Sequence, residues 1–260
     1  METTAKTSVT YDIKNRFGIV TGAASGIGQA AAVHLSRMGA TVALVDLNRT
    51  GLEETAARIG RQSGAPTLVF TADAADEKVV ERVVAETAEK FGSIDFLVNS
   101  AGILRRSGFL DMSLEEWDLV LNVNLRGSFL YCRHTVPHMI RQAKGVVVNV
   151  ASLAGRSSSI LGGAHYTSAK HALIGLSRHM ARELGPKGVR VNAFCPGGTL
   201  TPMTVNSTSR EEIEAIASSI PRRCWATPDE QAAVIGFLVS DASINITGAC
   251  IDSNGGSLMV

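Results

Sequence analysis

Short runs of β-branched and other apolar residues alternate along the chain with longer stretches whose apolar residues recur every three or four positions. The runs predict strands over 17–20, 41–46, 67–71, 94–99, 146–151, 189–194 and 249–252. Helical spacing predicts helices over 26–38, 52–59, 76–91, 114–141, 166–184 and 229–239, as where Ile27, Ala30, Ala31, Val33 and Leu35 follow the first strand. Strands that are apolar throughout are buried on both faces. The pattern therefore predicts a doubly wound, Rossmann-type α/β fold, a parallel sheet of about seven strands with helices on both faces. No linker, repeat or low-complexity stretch interrupts the rhythm, so 16–260 reads as one domain. Polar residues 1–15 read as a flexible arm, and the long irregular region 197–228 as a substrate lid.

Composition narrows the functional classes. Of 260 residues 45% are hydrophobic and 19% charged, enough for a large core. Twenty-five Lys and Arg against 24 Asp and Glu leave a net charge of +1, with no global field to hold nucleic acid or an anionic membrane. The apolar run at Val146, Val147 and Val148 is strand-sized, and no transmembrane or secretory segment is visible. Cys132, Cys195, Cys224 and Cys250 lie far apart, which fits free thiols in a reducing cytoplasm.

The chemistry concentrates where strands end. Thr21-Gly-Ala-Ala-Ser-Gly-Ile-Gly28 joins the first strand to the first helix, where backbone N–H groups carry partial positive charge and glycine lets a pyrophosphate approach. Asp46 ends the second strand. Its carboxylate can accept both hydroxyls of an adenosine ribose and would repel a 2′-phosphate, favouring NAD over NADP; Arg49 nearby argues the other way, and a turn or cap aspartate is the plain alternative. Asp73, Asn99-Ser-Ala-Gly102, Ser152 and Pro196-Gly-Gly198 follow later strands, marking one crevice along the carboxyl edge of the sheet. Tyr166 and Lys170, four apart on a helix, face the same way, and a nearby ammonium is expected to lower the phenol's pKa.

With these motifs, Asn122-Val-Asn-Leu125, Tyr166-Thr-Ser-Ala-Lys170 and Pro196-Gly-Gly-Thr-Leu-Thr-Pro-Met203, the chain resembles the short-chain dehydrogenase/reductase family from about Arg16 to Gly256. The resemblance implies a catalytic tetrad of Asn124, Ser152, Tyr166 and Lys170. Tyr166 would be base in alcohol oxidation and acid in carbonyl reduction. Lys170 would lower its pKa and hold the nicotinamide ribose, Ser152 would bond the substrate oxygen, and Asn124 would fix a relay water. It implies a cofactor site of Gly22, Ser25, Gly26, Ile27, Gly28, Asp46, Asp73, Ala74, Asn99, Ala101, Gly102, Tyr166, Lys170, Pro196, Gly197, Thr199 and Thr201, with Val150 beside the nicotinamide. Departures are Ser100 where relatives carry a second Asn, Cys224 for Arg, Asn254 for Asp, and a slightly long stretch between Ser152 and Tyr166.

Substrate signals are fewer. Ala101-Gly-Ile-Leu-Arg-Arg106 is similar to a run in sugar-acid members such as gluconate 5-dehydrogenase, which would set Arg105 or Arg106 against an acid group; a solvated loop is the alternative. His165 is a further candidate for substrate contact beside Ser152 and Tyr166. His134 and His138 have the spacing of a metal pair but no third ligand, so no metal is expected. The reading is an NAD-dependent alcohol dehydrogenase or ketone reductase acting on a polyol, sugar or sugar acid, without nucleic acid or membrane partners. A 3-oxoacyl or general ketone reductase and a non-catalytic nucleotide-binding module are the rivals. Apolar residues on several faces of the helices over 114–141 and 166–184 predict a homo-oligomer, and the family resemblance implies a tetramer, or at least a dimer, paired through these helices.

Overall fold

A computed structural model describes residues 10–260. Strands β1 (Phe17–Thr21), β2 (Thr41–Asp46), β3 (Thr67–Thr71), β4 (Phe96–Asn99), β5 (Gly145–Val150), β6 (Val189–Pro196) and β7 (Cys250–Ser253) form one sheet. Its order is β3-β2-β1-β4-β5-β6-β7, with every pairing parallel. The chain winds outward from β1 to β3, returns to β4 beside β1, and winds the other way. The β1/β4 boundary is thus the switch point, where the first connection on each side leaves a crevice.

Apolar strands force a core on each face. Val20, Val42, Leu44, Phe96, Val98 and Val148 point to one side, under α1 (Gly26–Arg37), α2 (Arg49–Ser63) and α9 (Pro228–Val239). Their neighbours Ile19, Ala43, Val45, Leu97 and Val147 point to the other, under α3 (Glu77–Phe91) and α5 (Gly127–Arg141). Local chemistry sets the helix ends. Asp76 accepts from Lys78 N and Val79 N to start α3, and Gly92 ends it in a left-handed turn.

Four expectations are revised. Helix α2 extends beyond 52–59 at both ends, because the Asn48 side chain caps Gly51 N and Gly64 closes the far end. The helix over 114–141 is α4 (Leu114–Leu121) and α5 joined by a π-helical turn, Asn122–Arg126. There Asn124 Nδ2 donates to Val120 O four residues back, competing with the helical ladder. The region 197–228 is not irregular: it carries α7 (Pro202–Val205) and α8 (Arg210–Ser219), the latter capped by Ser209. The arm expected over 1–15 lies for residues 1–9 outside the described residues, while Ile13, 1% exposed, donates its N–H to Met38 O and joins the core. Among the described residues no helix is long and apolar enough to cross a membrane.

Candidate active site

The carboxyl ends of the strands border a cavity of about 300 Å³ at the switch point. At one end the turn from β1 to α1 is walled by backbone. Gly22 and Gly26 have φ of +68° and +56°. A Cβ on Gly22 would lie 2.8 Å from Ser100 and Ala101 backbone, and one on Gly28 2.2 Å from Gly22 O. Thr21 Oγ1 accepts from Ser100 N and Ala101 N, both at 3.1 Å, which ties the turn after β4 to the end of β1. Asp46 accepts from Ala24 N at 3.1 Å through Oδ2 and from Asn48 N at 3.0 Å through Oδ1. Asp46 is thus a turn residue, as the plain reading has it, and it also lines the cavity. Asp73 turns the chain by accepting from Ala75 N at 2.8 Å and lies along the same wall.

At the other end stand Asn124, Tyr166 and Lys170. The π-helical turn carries Asn124 inward, fully buried. Its Nδ2 donates to Ile103 O and Val120 O at 2.9 Å each, and its Oδ1, buried and without a partner, faces Gly102. Lys170 Nζ donates to Val150 O at 2.9 Å and lies 5.7 Å from the Tyr166 ring centre. α6 (Ala164–Leu184) aligns the tyrosine and lysine one turn apart. Gly155 and Gly162 fit close against this pair: a Cβ would approach Lys170 O to 2.7 Å and the Tyr166 ring to 2.9 Å, respectively.

The expected electrostatics of the pair needs correction. Burial dominates both groups. It lowers Lys170 to about 8 and raises the Tyr166 phenol above its ordinary value, with the neighbouring Ser152 hydroxyl pulling the phenol the other way. Burial, rather than the Lys170 ammonium, therefore sets the direction of the phenol's shift.

Most expected cofactor residues line the cavity: Gly22, Ser25, Gly26, Ile27, Gly28, Asp46, Asp73, Ala74, Ala101, Gly102, Tyr166, Lys170, Pro196 and Thr201. Asn99, Gly197 and Thr199 do not. Asn99 is a buried brace, its Nδ2 donating to Asn149 Oδ1 at 2.9 Å and Ser128 O at 3.2 Å. Thr199 donates to Gly197 O and accepts from the buried Gln231, holding the wall from behind. Ser152 sits beside Tyr166 rather than on the cavity wall, its Oγ accepting from Ala154 N at 3.0 Å.

The substrate candidates fare differently. His165 is fully buried behind the cleft, its Nε2 2.8 Å from Glu116 Oε1, so it presents no face to a ligand there. Arg106 pairs with Glu212 of α8 at 2.6 Å and also donates to Ser207 O and, at 3.2 Å, to Leu161 O. It fastens α8 and the segment before it to the two loops around Arg106 and Leu161. Arg105 is exposed and donates to its neighbour's carbonyl, Leu104 O. Trp225 is buried and packs against Gly198. The reasoning from sequence missed Thr21, Val45, Ala72, Ile103, Val123 and Met203 on the cavity wall. The first three lie at or next to strand ends and follow from the sheet topology; the others carry no polar signal. Among the described residues no three His, Cys, Asp or Glu side chains cluster as a metal set.

A cradle with no room for side chains, a carboxylate across it and an orphaned amide oxygen at the far end fit a nicotinamide dinucleotide. The molecule is thus a Rossmann-type dinucleotide-binding protein. Residues 22–257 match a family model described as enoyl-(acyl carrier protein) reductase. The chain is 38% identical over 253 residues to D-threitol dehydrogenase of Mycolicibacterium smegmatis, covering 96% of each protein. It is 37% identical to a 3-oxoacyl-(acyl-carrier-protein) reductase of Thermotoga maritima, covering 94% of this chain and 98% of that one. Among solved structures, levodione reductase superposes with a TM-score of 0.91 at 36% identity, covering 94% of this chain and 97% of the other. The chain belongs to the short-chain dehydrogenase/reductase family, whose members use nicotinamide cofactors for alcohol and ketone oxidoreduction.

Proposed function

We propose that the protein is an NAD-dependent dehydrogenase/reductase that interconverts a secondary alcohol and a ketone on a small polyol-, sugar- or sugar-acid-like substrate. The observation that carries this reading is the convergence of Tyr166, Lys170 and Asn124 at one end of a cleft whose other end holds Asp46. In oxidation Tyr166 Oη takes the proton of the substrate hydroxyl; in reduction it returns one to the carbonyl oxygen. Ser152 donates to the substrate oxygen and keeps it beside the phenol. Lys170, anchored on Val150 O, and the free Oδ1 of Asn124 face each other across Gly102 and hold the water that passes the proton onward. A nicotinamide, when bound, supplies the hydride acceptor for oxidation and the donor for reduction.

The Asp46 carboxylate supports NAD, since a 2′-phosphate there would meet like charge. The D-threitol dehydrogenase relative supports a polyol. Arg106 is engaged by Glu212, whereas Arg105 pairs with no carboxylate among the described residues and is the cation open to an acid group. The second reading is a 3-oxoacyl or general ketone reductase, favoured by the 3-oxoacyl reductase and levodione reductase relatives. A non-catalytic nucleotide-binding module would have no use for a buried Tyr/Lys pair. Free cysteines support a cytoplasmic setting. Leu114, Leu119 and Phe129, exposed by 78%, 44% and 42% on α4 and α5, support a homo-oligomer, taken as a tetramer; a monomer by light scattering would reject it.

The test is reduction of NAD and NADP by the purified protein with a panel of polyols, sugar acids and hydroxyketone-derived alcohols. NAD should be preferred. Tyr166→Phe should lose about 10²–10⁴-fold in kcat while still binding NAD. Because burial keeps the phenol protonated at neutral pH, oxidation should accelerate as pH rises toward its raised pKa, and reduction should not. Equal efficiency with NADP rejects the cofactor assignment, and retained turnover in Tyr166→Phe rejects the mechanism.

A further inference from the structure

Helix α6 begins without a side-chain cap, since its N-cap is Gly163. The first backbone N–H groups of a helix have no partner within it, and an uncapped first turn is free to shift. Tyr166 lies in that turn, so the direction in which its phenol leaves the helix depends on what holds those groups.

His165 holds one of them. Its Nδ1 accepts from the backbone N–H of Tyr166 at 2.7 Å, the shorter arm of a shared bond whose other acceptor is Gly163 O at 3.1 Å. A nitrogen that accepts carries no proton, so the ring proton sits on Nε2 and is donated to Glu116 Oε1 at 2.8 Å. Glu116 lies on α4, and the neighbouring Ser107 hydroxyl and His165 hold its carboxyl below the usual range. The ring has little slack. A Cβ on Gly163 would lie 2.8 Å from Ser107 O and 2.9 Å from His165 Cε1, and Gly163 N is itself bonded to Arg105 O at 2.9 Å. Helix α4, the loop after β4 and the start of α6 therefore meet on one fully buried imidazole.

We infer that His165, braced by Glu116, is a positioning residue for Tyr166: its two ring nitrogens lock the first turn of α6 to α4 and so aim the phenol at the reacting oxygen. The inference rests on the reading of Tyr166 as the proton-transfer group. Misplacing a reacting group by about 1 Å can cost ~10²-fold in rate without weakening ligand binding. Loss of the lock therefore reads out in kcat and not in the affinity for NAD, whose glycine turn lies at the other end of the cleft.

Three substitutions separate the two arms of the ring. In His165→Asn the side-chain oxygen reaches the place of Nδ1 and still accepts from Tyr166 N–H, but does not reach Glu116. In His165→Gln the amide reaches the place of Nε2 and still meets Glu116, but leaves the Tyr166 N–H only its longer bond to Gly163 O at 3.1 Å. His165→Leu has neither. We expect kcat to fall by roughly 10–100-fold in the Leu variant, with the NAD dissociation constant within about twofold of the parent. The Asn variant should recover most of kcat, and the Gln variant less. Glu116→Gln, which keeps an acceptor oxygen but not its charge, should cost only a few-fold.

Unchanged kcat in His165→Leu overturns the inference. So does a loss that Asn does not rescue, or one shared by kcat and NAD affinity alike. If the Leu variant does not fold, the ordering of Asn above Gln decides alone. Tyr166→Phe is assayed in parallel. Activity retained there removes the proton-transfer reading itself, whereas activity lost there with unchanged kcat in the His165 variants removes only the positioning role.

Discussion

The two ends of the cleft are built by different means. At the glycine turn the wall is main chain, fixed by the ends of β1, β2 and β4 and closed by the Thr21 hydroxyl on two backbone N–H groups. At the mouth, three segments around Arg106, Leu161 and Ser207 meet through a single guanidinium and a carboxylate, each more than one-third exposed. The first end inherits the rigidity of the sheet and tolerates little change. The second depends on side chains that can be exchanged without disturbing the core. A family that keeps one cofactor chemistry while varying its substrates needs that division of labour.

The largest effect is expected where backbone meets backbone. In Gly28→Ala the new Cβ would lie 2.2 Å from Gly22 O, a distance no rotamer relieves. The turn must move, and NAD affinity should fall at least ~10-fold, together with about 1–3 kcal/mol of stability from overpacking. Gly60→Ala in α2, with nothing within 4 Å of its Cβ, is the control and should gain up to ~1 kcal/mol from helix propensity. NAD titration and thermal melts of both variants measure the contrast. Unchanged NAD affinity in Gly28→Ala would mean that the turn is as pliable as the mouth.

The same division explains what could be read from the chain in advance. The alternation of strands and helices, the two-faced core and the glycine turn follow from local patterns: apolar runs, helical spacing, and glycine between a strand and a helix. Tyr166 and Lys170 are legible because one helical turn joins them. His165 and Arg106 are not, because their partners lie far along the chain, at Glu116 and Glu212, and nothing in the local sequence distinguishes a buried brace from a ligand contact. The π-helical turn is hidden for a related reason. It takes a side chain competing for a carbonyl of its own helix, which hydrophobic spacing does not record. Helices α7 and α8 were concealed by a polar composition that resembles loop, although Ser209 and Thr201 provide ordinary helix starts.

Asp46 stands between the two regimes, a side chain placed by strand geometry. Removing it in Asp46→Ala leaves Ala24 N and Asn48 N without acceptors and removes the charge that opposes a 2′-phosphate. The ratio of kcat/KM for NAD over NADP should fall by roughly 10-fold, a difference of about 1.4 kcal/mol. The loss should come from improved use of NADP as well as weaker use of NAD. A variant that loses NAD efficiency with no gain for NADP would show Asp46 to be a turn residue alone, and would leave the NAD assignment without its main support.

The smallest effect is expected at the mouth. An ion pair as exposed as Arg106 and Glu212 contributes on the order of 0.2–1 kcal/mol, so Arg106→Ala should change KM only a few-fold. The informative quantity is which substrates feel it. If the guanidinium serves to fasten the lid, its loss loosens α8 for every ligand, and KM rises equally for an acid substrate and for a neutral polyol of matched size. Glu212→Gln should then reproduce the change, since it weakens the same fastener from the other side. If Arg106 instead leaves Glu212 to meet a carboxylate on the substrate, Arg106→Ala raises KM for the acid alone, and Glu212→Gln lowers it by freeing the cation. The paired assay therefore decides between a mouth that is merely closed by charge and one that selects by it, and the bonds already made by Arg106 to Glu212, Ser207 and Leu161 favour closure.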